Sequence, residues 1–188
     1  IGTTSFFPAK PLGCFGDGGA VFTNNDEIAH KLRTMRVHGQ TQKYHHKYIG
    51  MGSRLDTIQS AVLNVKLKSY ANDIKRRQEA SKYYGELLRN HFKTPTVLDQ
   101  CTSVWAQYSI RVAERDRIQI ALKSKGIPTT VYYPIPLHLQ ECFIYLGYKQ
   151  GDFPISELIS KEIISLPINP YIQKSEIEYV CKELISLT

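Results

Sequence analysis

The first sixty residues hold too little structure to stand alone, and that shortage constrains the fold more than any other feature. They offer two short apolar strands, Thr3–Phe7 and Ala20–Thr23, and one amphipathic helix. Two strands cannot close a parallel sheet, which needs further strands and helices on both faces. The segment therefore reads as the edge of a larger α/β domain, and the chain as part of a longer gene product without its initiator Met. The helix begins at Asn24 or Asn25 as N-cap, with Asp26 and Glu27 in its first turn, where carboxylates suit the helix dipole. Ile28, Leu32 and Met35 form its inner stripe, and Gly39 is expected to end it. Residues 40–52 read as a polar, aromatic loop with a task.

From Leu55 a longer helical pattern begins. Leu55, Ile58, Val62 and Val65 recur at helical spacing, and the pattern runs to about Leu88 as one long helix or two broken near Tyr70. After Pro95 comes an α+β unit: a strand over Trp105–Val112, a helix over Asp116–Lys125 with Ile118, Ala121 and Leu122 inward, and an extended Pro128–Tyr133. A helix follows from Pro154 with Ile155, Leu158, Ile159 and Ile163. A C-terminal helix carries Ile177, Val180, Cys181, Leu184 and Ile185. The expected organisation is the last part of a large domain over 1–60, a connecting helical segment over 61–94, and a small α+β domain over 95–188.

Composition narrows the function classes. Cys14, Cys101, Cys142 and Cys181 lie far apart, which argues against a zinc site and fits reduced thiols in the cytoplasm. No apolar run approaches the roughly 18 residues of a membrane span. The formal net charge is +7 among 188 residues, which raises nucleic acid as a partner. The basic residues are dispersed, however, and no nucleic-acid motif is present. The densest clusters are Lys43–Lys47, with its histidines and tyrosine, and Lys75-Arg76-Arg77, which reads as a solvated helix face. A basic surface equally suits a polyanionic small substrate such as a nucleotide sugar.

One segment concentrates chemistry. Lys10 lies between Pro8 and Pro11, five residues after Ser5, and four glycines follow at positions 13, 16, 18 and 19. The prolines stiffen the backbone around the lysine, while the glycines permit close backbone approach and positive φ. A lysine held in a desolvated pocket becomes a usable amine nucleophile. The dinucleotide fingerprint is out of register, because position 21 is valine, and no Gly-Lys-Ser/Thr phosphate loop occurs. On these grounds alone, a glycine-rich turn with an incidental lysine remains open.

The segment Ser5-Phe6-Phe7-Pro8-Ala9-Lys10-Pro11-Leu12-Gly13, followed by Gly16-Asp17-Gly18-Gly19-Ala20, resembles the cofactor-lysine segment of the DegT/DnrJ/EryC1/StrS sugar aminotransferases. The resemblance continues in order through Arg36-Val37-His38-Gly39-Gln40, Lys43-Tyr44-His45-His46 and Ile49-Gly50-Met51-Gly52-Ser53-Arg54-Leu55-Asp56-Thr57-Ile58-Gln59-Ser60-Ala61. It resumes at Ser103-Val104-Trp105-Ala106-Gln107-Tyr108 and at Gly126 through Tyr132-Tyr133-Pro134 to His138. The last two stretches are most similar to the branch that aminates UDP-2-acetamido-2-deoxy-3-keto uronic acids for surface polysaccharides.

The resemblance implies a fold-type I aminotransferase dependent on pyridoxal 5′-phosphate, of which this chain would be the C-terminal half. It implies a homodimer with shared active sites, an amino-acid donor such as glutamate, and a nucleotide-linked keto sugar as acceptor. Lys10 would carry the cofactor as a Schiff base and shuttle the substrate proton, and Ser5 would bind the cofactor phosphate. Arg54 would recognise a substrate carboxylate across the subunit boundary, and Tyr133 would touch the substrate.

Two departures stand out. Many relatives carry Asn where this chain has Gly52, so Ser53 is the remaining candidate there for the partner's cofactor phosphate. His-Tyr-Pro is common where Tyr132-Tyr133-Pro134 stands, and neither His138, His45 nor His46 is assigned the missing role. The family's ring-stacking and acidic cofactor contacts lie upstream of the residues matched, so this fragment alone is expected to be inactive. A 4-keto sugar aminotransferase and a non-enzymatic basic binding fragment are the competing readings. A dehydratase of the same fold uses histidine in place of the lysine, and Lys10 argues against it.

Overall fold

The computed structural model describes all 188 residues, which form two compact units, Ile1–Ala71 and Asn72–Thr188. In the first unit, β1 (Gly2–Ser5) pairs antiparallel with β2 (Gly19–Phe22), with Gly2 opposite Phe22 and Ser5 opposite Gly19. Both strands lie largely exposed, as expected of the margin of a larger sheet. Helix α1 (Asp26–Met35) starts where its cap predicts, for Asn25 Oδ1 accepts the Ile28 N–H at 2.9 Å. It stops at Met35, four residues before Gly39, whose N–H returns to Thr34 O at 3.0 Å.

The expected loop at 40–52 contains a small hairpin, β3 (Gln40–Gln42) and β4 (His45–His46), turned at Tyr44 with φ 66°. Its base has no slack. A Cβ on Gly39, at φ +74°, would sit 1.7 Å from Tyr48 O. Helix α2 (Thr57–Leu67) follows, and α3 (Tyr70–Leu88) begins three residues later, so the helical pattern does break beside Tyr70.

The second unit holds the core. Strand β5 (Tyr108–Arg111) pairs antiparallel with β6 (Ile163–Leu166), and α4 (Arg115–Ser124), α6 (Lys174–Ile185) and the C-terminal part of α3 contribute to the cluster they cover. Tyr84, Leu88, Ile110, Leu122, Ile164 and Leu184 are fully enclosed. Each buried aliphatic side chain of this kind contributes on the order of 1.5–3 kcal/mol. The two strands turn Ser109 and Ser165 off the core, and their hydroxyls meet at 2.7 Å.

Three expectations need correction here. The strand foreseen from Trp105 begins only at Tyr108, because Trp105 adopts φ 48° and its carbonyl is taken by Arg77 Nη1 at 2.9 Å. Arg77 is accordingly buried, so only Lys75 and Arg76 of the basic triplet form a solvated face. Ile163 opens β6 instead of closing α5 (Pro154–Glu162), and Ile155 and Leu158 of that helix are exposed. The extended Pro128–Tyr133 stretch makes a single bridge, with Thr130 and Ser165 exchanging hydrogen bonds at 3.2 and 2.8 Å. Two 3-10 turns, Leu137–Leu139 and Glu141–Leu146, follow it.

Candidate active site

The loop from Phe6 to Gly18 closes on itself. Phe6 N–H reaches Gly18 O and Cys14 N–H reaches Phe6 O, both at 2.8 Å. The Cys14 thiol fills the middle, fully buried, 3.0 Å from the carbonyls of both Phe6 and Gly16. A Cβ on Gly13 would stand 2.7 Å from the carbonyl oxygens of Phe7 and Pro8. The glycines at 13, 16, 18 and 19 thus serve close approach, and none of them takes the positive φ allowed for in the sequence reading.

Lys10 stands exposed on the turn within this loop, with its N–H bonded to Phe7 O at 2.8 Å. The desolvated pocket expected around it is not built by this chain's own residues. Ser5 ends β1, exposed, and its oxygen accepts the Phe7 N–H at 3.2 Å, which leaves the hydroxyl proton to donate elsewhere. Ser5 and Lys10 therefore belong to one short, closed turn.

Helix α2 braces the far side of that loop. Gln59 Oε1 accepts the Phe15 N–H at 2.7 Å, and Lys66 Nζ donates to Gly13 O at 2.5 Å while lying 5.1 Å from the centre of the Phe15 ring. Leu55, just before the helix, packs so close that a Cβ on Gly18 would meet its Cδ1 at 2.9 Å. Sequence reasoning missed Gln59 and Lys66. Their separation of seven residues, placing two polar side chains on one helix face, was the available signal.

Ser53 and Arg54 enter α2 from the other end. Ser53 N–H bonds Arg36 O at 2.9 Å, both side chains are exposed, and Arg54 takes part in none of the chain's own ion pairs. At the departure point, the His38 ring covers Gly52, where a Cβ would fall 3.1 Å from His38 Cε1. His46 Nδ1 lies 2.8 Å from His38 O and so helps to hold the hairpin. The first unit thus brings together Ser5 and Lys10 on one turn, and Ser53 and Arg54 at the head of the helix that braces it. Tyr133 belongs to the second unit. It is exposed, and its ring meets Tyr132 edge-on at 5.5 Å.

A primary amine for an aldehyde and a hydroxyl donor for a phosphate, on one stiff turn, fit pyridoxal phosphate by the chemistry of the donor set. The chain also matches known proteins. The sequence profile of the DegT/DnrJ/EryC1/StrS aminotransferase family matches residues 1–185. A UDP-2-acetamido-2-deoxy-3-oxo-D-glucuronate aminotransferase of Pseudomonas aeruginosa is 41% identical over 98% of this chain and 51% of its own length. A dTDP-3-amino-3,6-dideoxy-alpha-D-galactopyranose transaminase of Aneurinibacillus thermoaerophilus is 43% identical over 87% of this chain and 45% of its own. The crystal structure of a DegT DnrJ EryC1 StrS aminotransferase from Brucella abortus superposes with a TM-score of 0.93 at 40% identity, covering 99% of this chain and 50% of that one. The chain spans about half the length of the relatives it matches. With the lysine turn, its brace and this match along almost every residue, the chain belongs to the DegT/DnrJ/EryC1/StrS aminotransferase family.

Proposed function

We propose that the whole protein moves an amino group from an amino-acid donor, with glutamate the expected one, to carbon 3 of a nucleotide-linked keto sugar. The acceptor in this reading is a UDP-2-acetamido-3-keto uronic acid destined for surface polysaccharide. What carries it is the 41% identity, along 98% of this chain, to a relative named for that sugar. The name of the Aneurinibacillus relative also points to carbon 3, which favours a 3-keto over a 4-keto substrate.

Pyridoxal phosphate, when bound, supplies the electron sink for the carbon acid. Lys10 Nζ would hold it and, once freed, would move a proton from the donor's α-carbon to the cofactor carbon in the first half-reaction and from that carbon to carbon 3 of the sugar in the second. The hydroxyl of Ser5 donates to the cofactor phosphate.

In a homodimer with shared sites, Ser53 serves the partner's phosphate in place of the asparagine common at Gly52. Arg54 offers its planar fork to the uronate carboxylate. Tyr133 lies along the sugar. The enzyme works in the cytoplasm, with its four thiols reduced, as their separate positions suggest.

The test is direct. Borohydride treatment of the full-length holoenzyme is expected to fix the cofactor on Lys10, found by peptide mapping, and Lys10→Ala to abolish both adduct and transamination. An adduct on any other lysine overturns the assignment. Steady-state rates with 3-keto and 4-keto UDP and dTDP sugars then decide the acceptor, and a faster 4-keto reaction overturns the substrate reading.

A further inference from the structure

The segment that carries Tyr133 runs into a small buried polar knot. His138 lies in the first 3-10 turn with its side chain only 8% exposed, and its Nε2 is 3.0 Å from Oε1 of Glu157, itself 12% exposed. Glu157 belongs to the first turn of α5. The same oxygen accepts the Gly151 N–H at 2.8 Å and the Phe153 N–H at 3.4 Å. Those bonds, Gly151's first, hold its carboxyl below the usual carboxylate range, so the group stays ionised.

The His138 ring also rests on Phe153, with centroids 4.7 Å apart, and Phe153 meets Tyr148 edge-on at 5.1 Å. Three stretches of chain therefore converge on one oxygen: the turn after Tyr133, the Lys149–Phe153 loop and the head of α5.

Little else secures this region. No residue between 131 and 153 is fully buried, and Ile135, Leu137, Ile144, Tyr145 and Leu146 all face outward. The nearest tie on the N-terminal side is the Thr130–Ser165 bridge. Between that bridge and α5, the His138–Glu157 contact is a largely enclosed fixture of the segment. A charge-assisted bond in such a setting is worth more than a surface pair.

We propose that His138 is a positioning residue: through Glu157 it fixes the Tyr133–Leu139 segment so that Tyr133 meets the bound sugar in one geometry. This rests on the reading of Tyr133 as a substrate contact. The contact runs through Nε2, which a glutamine amide nitrogen can imitate and the shorter asparagine cannot.

In the full-length enzyme, His138→Ala and His138→Asn are expected to raise KM for the sugar nucleotide about tenfold, equivalent to about 1.4 kcal/mol. His138→Gln should restore KM to within about threefold, and the donor half-reaction, followed by cofactor absorbance, should be unchanged in all three. Because His138 acts through Tyr133, the double variant His138→Asn/Tyr133→Phe should be no worse than Tyr133→Phe alone.

An unaltered KM in His138→Asn, or defects that multiply in the double variant, overturns the positioning role. Equal loss in the donor half-reaction overturns it too, since that marks general destabilisation. If Tyr133→Phe is itself silent, the reading of Tyr133 falls instead, which separates the two failures. Should His138→Ala not fold, the asparagine and glutamine pair carries the comparison.

Discussion

Tyr84 shows how the second unit disposes of polarity at the level of one side chain. Its ring is wholly enclosed and stacks on Tyr108 at 4.9 Å, and its hydroxyl donates to Pro167 O at 2.9 Å. Tyr84→Phe is expected to lower stability by about 1–3 kcal/mol in denaturant unfolding, because the Pro167 carbonyl loses its partner in a dry site. Leu122→Ala, which empties a fully enclosed position, should cost about 2–5 kcal/mol by the same measurement. Single residues divided sharply in how readable they were. Ile118, Leu122, Ile177 and Leu184 announced themselves by helical spacing, since burial of an amphipathic face is what that spacing encodes. Arg77 did not, for it looks like its neighbours Lys75 and Arg76 until the carbonyls of Trp105 and Ile168 are seen to receive its guanidinium. Nor did Glu157, nineteen residues from the histidine it holds. A partnership made by tertiary folding leaves no local period to read.

Elements were legible where one rule governed them. Asn25 capped α1 as expected, and Asn25→Ala should cost about 1 kcal/mol. The hairpin β3–β4 escaped notice because strands of three and two polar residues show no alternation. It is set by fit instead. Gly39→Ala would drive a methyl group into Tyr48 O in a left-handed conformation, so the hairpin should shift or open. Hydrogen exchange at the Lys47 amide, bonded to Gly39 O at 2.8 Å, should accelerate in that variant while the amides of α4 and α6 stay protected. Strand β6 was absorbed into the preceding helix because Ile163 continues the i, i+4 spacing from Ile159. Only pairing with β5 separates them. The lysine loop was half readable: its stiffness followed from proline and glycine, whereas its attachment to α2 through Gln59 and Lys66 depends on residues more than forty positions away.

At the scale of the molecule, the core of the second unit keeps three ionisable groups neutral. Burial raises Tyr108 and Cys181 each to about 12, from 10.0 and 9.0, and raises Tyr84 further still. Folding therefore retains protons that the unfolded chain gives up. Their contribution is complete below pH 9, falls as the unfolded thiol and phenols ionise, and is lost as pH rises through about 12. Melting temperature should accordingly decline above pH 9, and Cys181→Ala should soften the first part of that decline relative to the parent. A decline confined to acid pH would contradict this account of the core.

The brace between the lysine loop and α2 has a consequence for how such an enzyme keeps its parts in register. Gln59 and Lys66 grip the loop from points about two helical turns apart, and Ser53 and Arg54 lie just ahead of the same helix. In a dimer with shared sites, the amine serving one centre and the guanidinium reaching toward the other would be mounted on a single rigid beam. Neither could drift without carrying the other along. The spacing between the two centres would then be an inherited dimension of α2, and, if Arg54 binds the carboxylate as proposed, loosening Lys66 at one end should be felt in carboxylate recognition at the other.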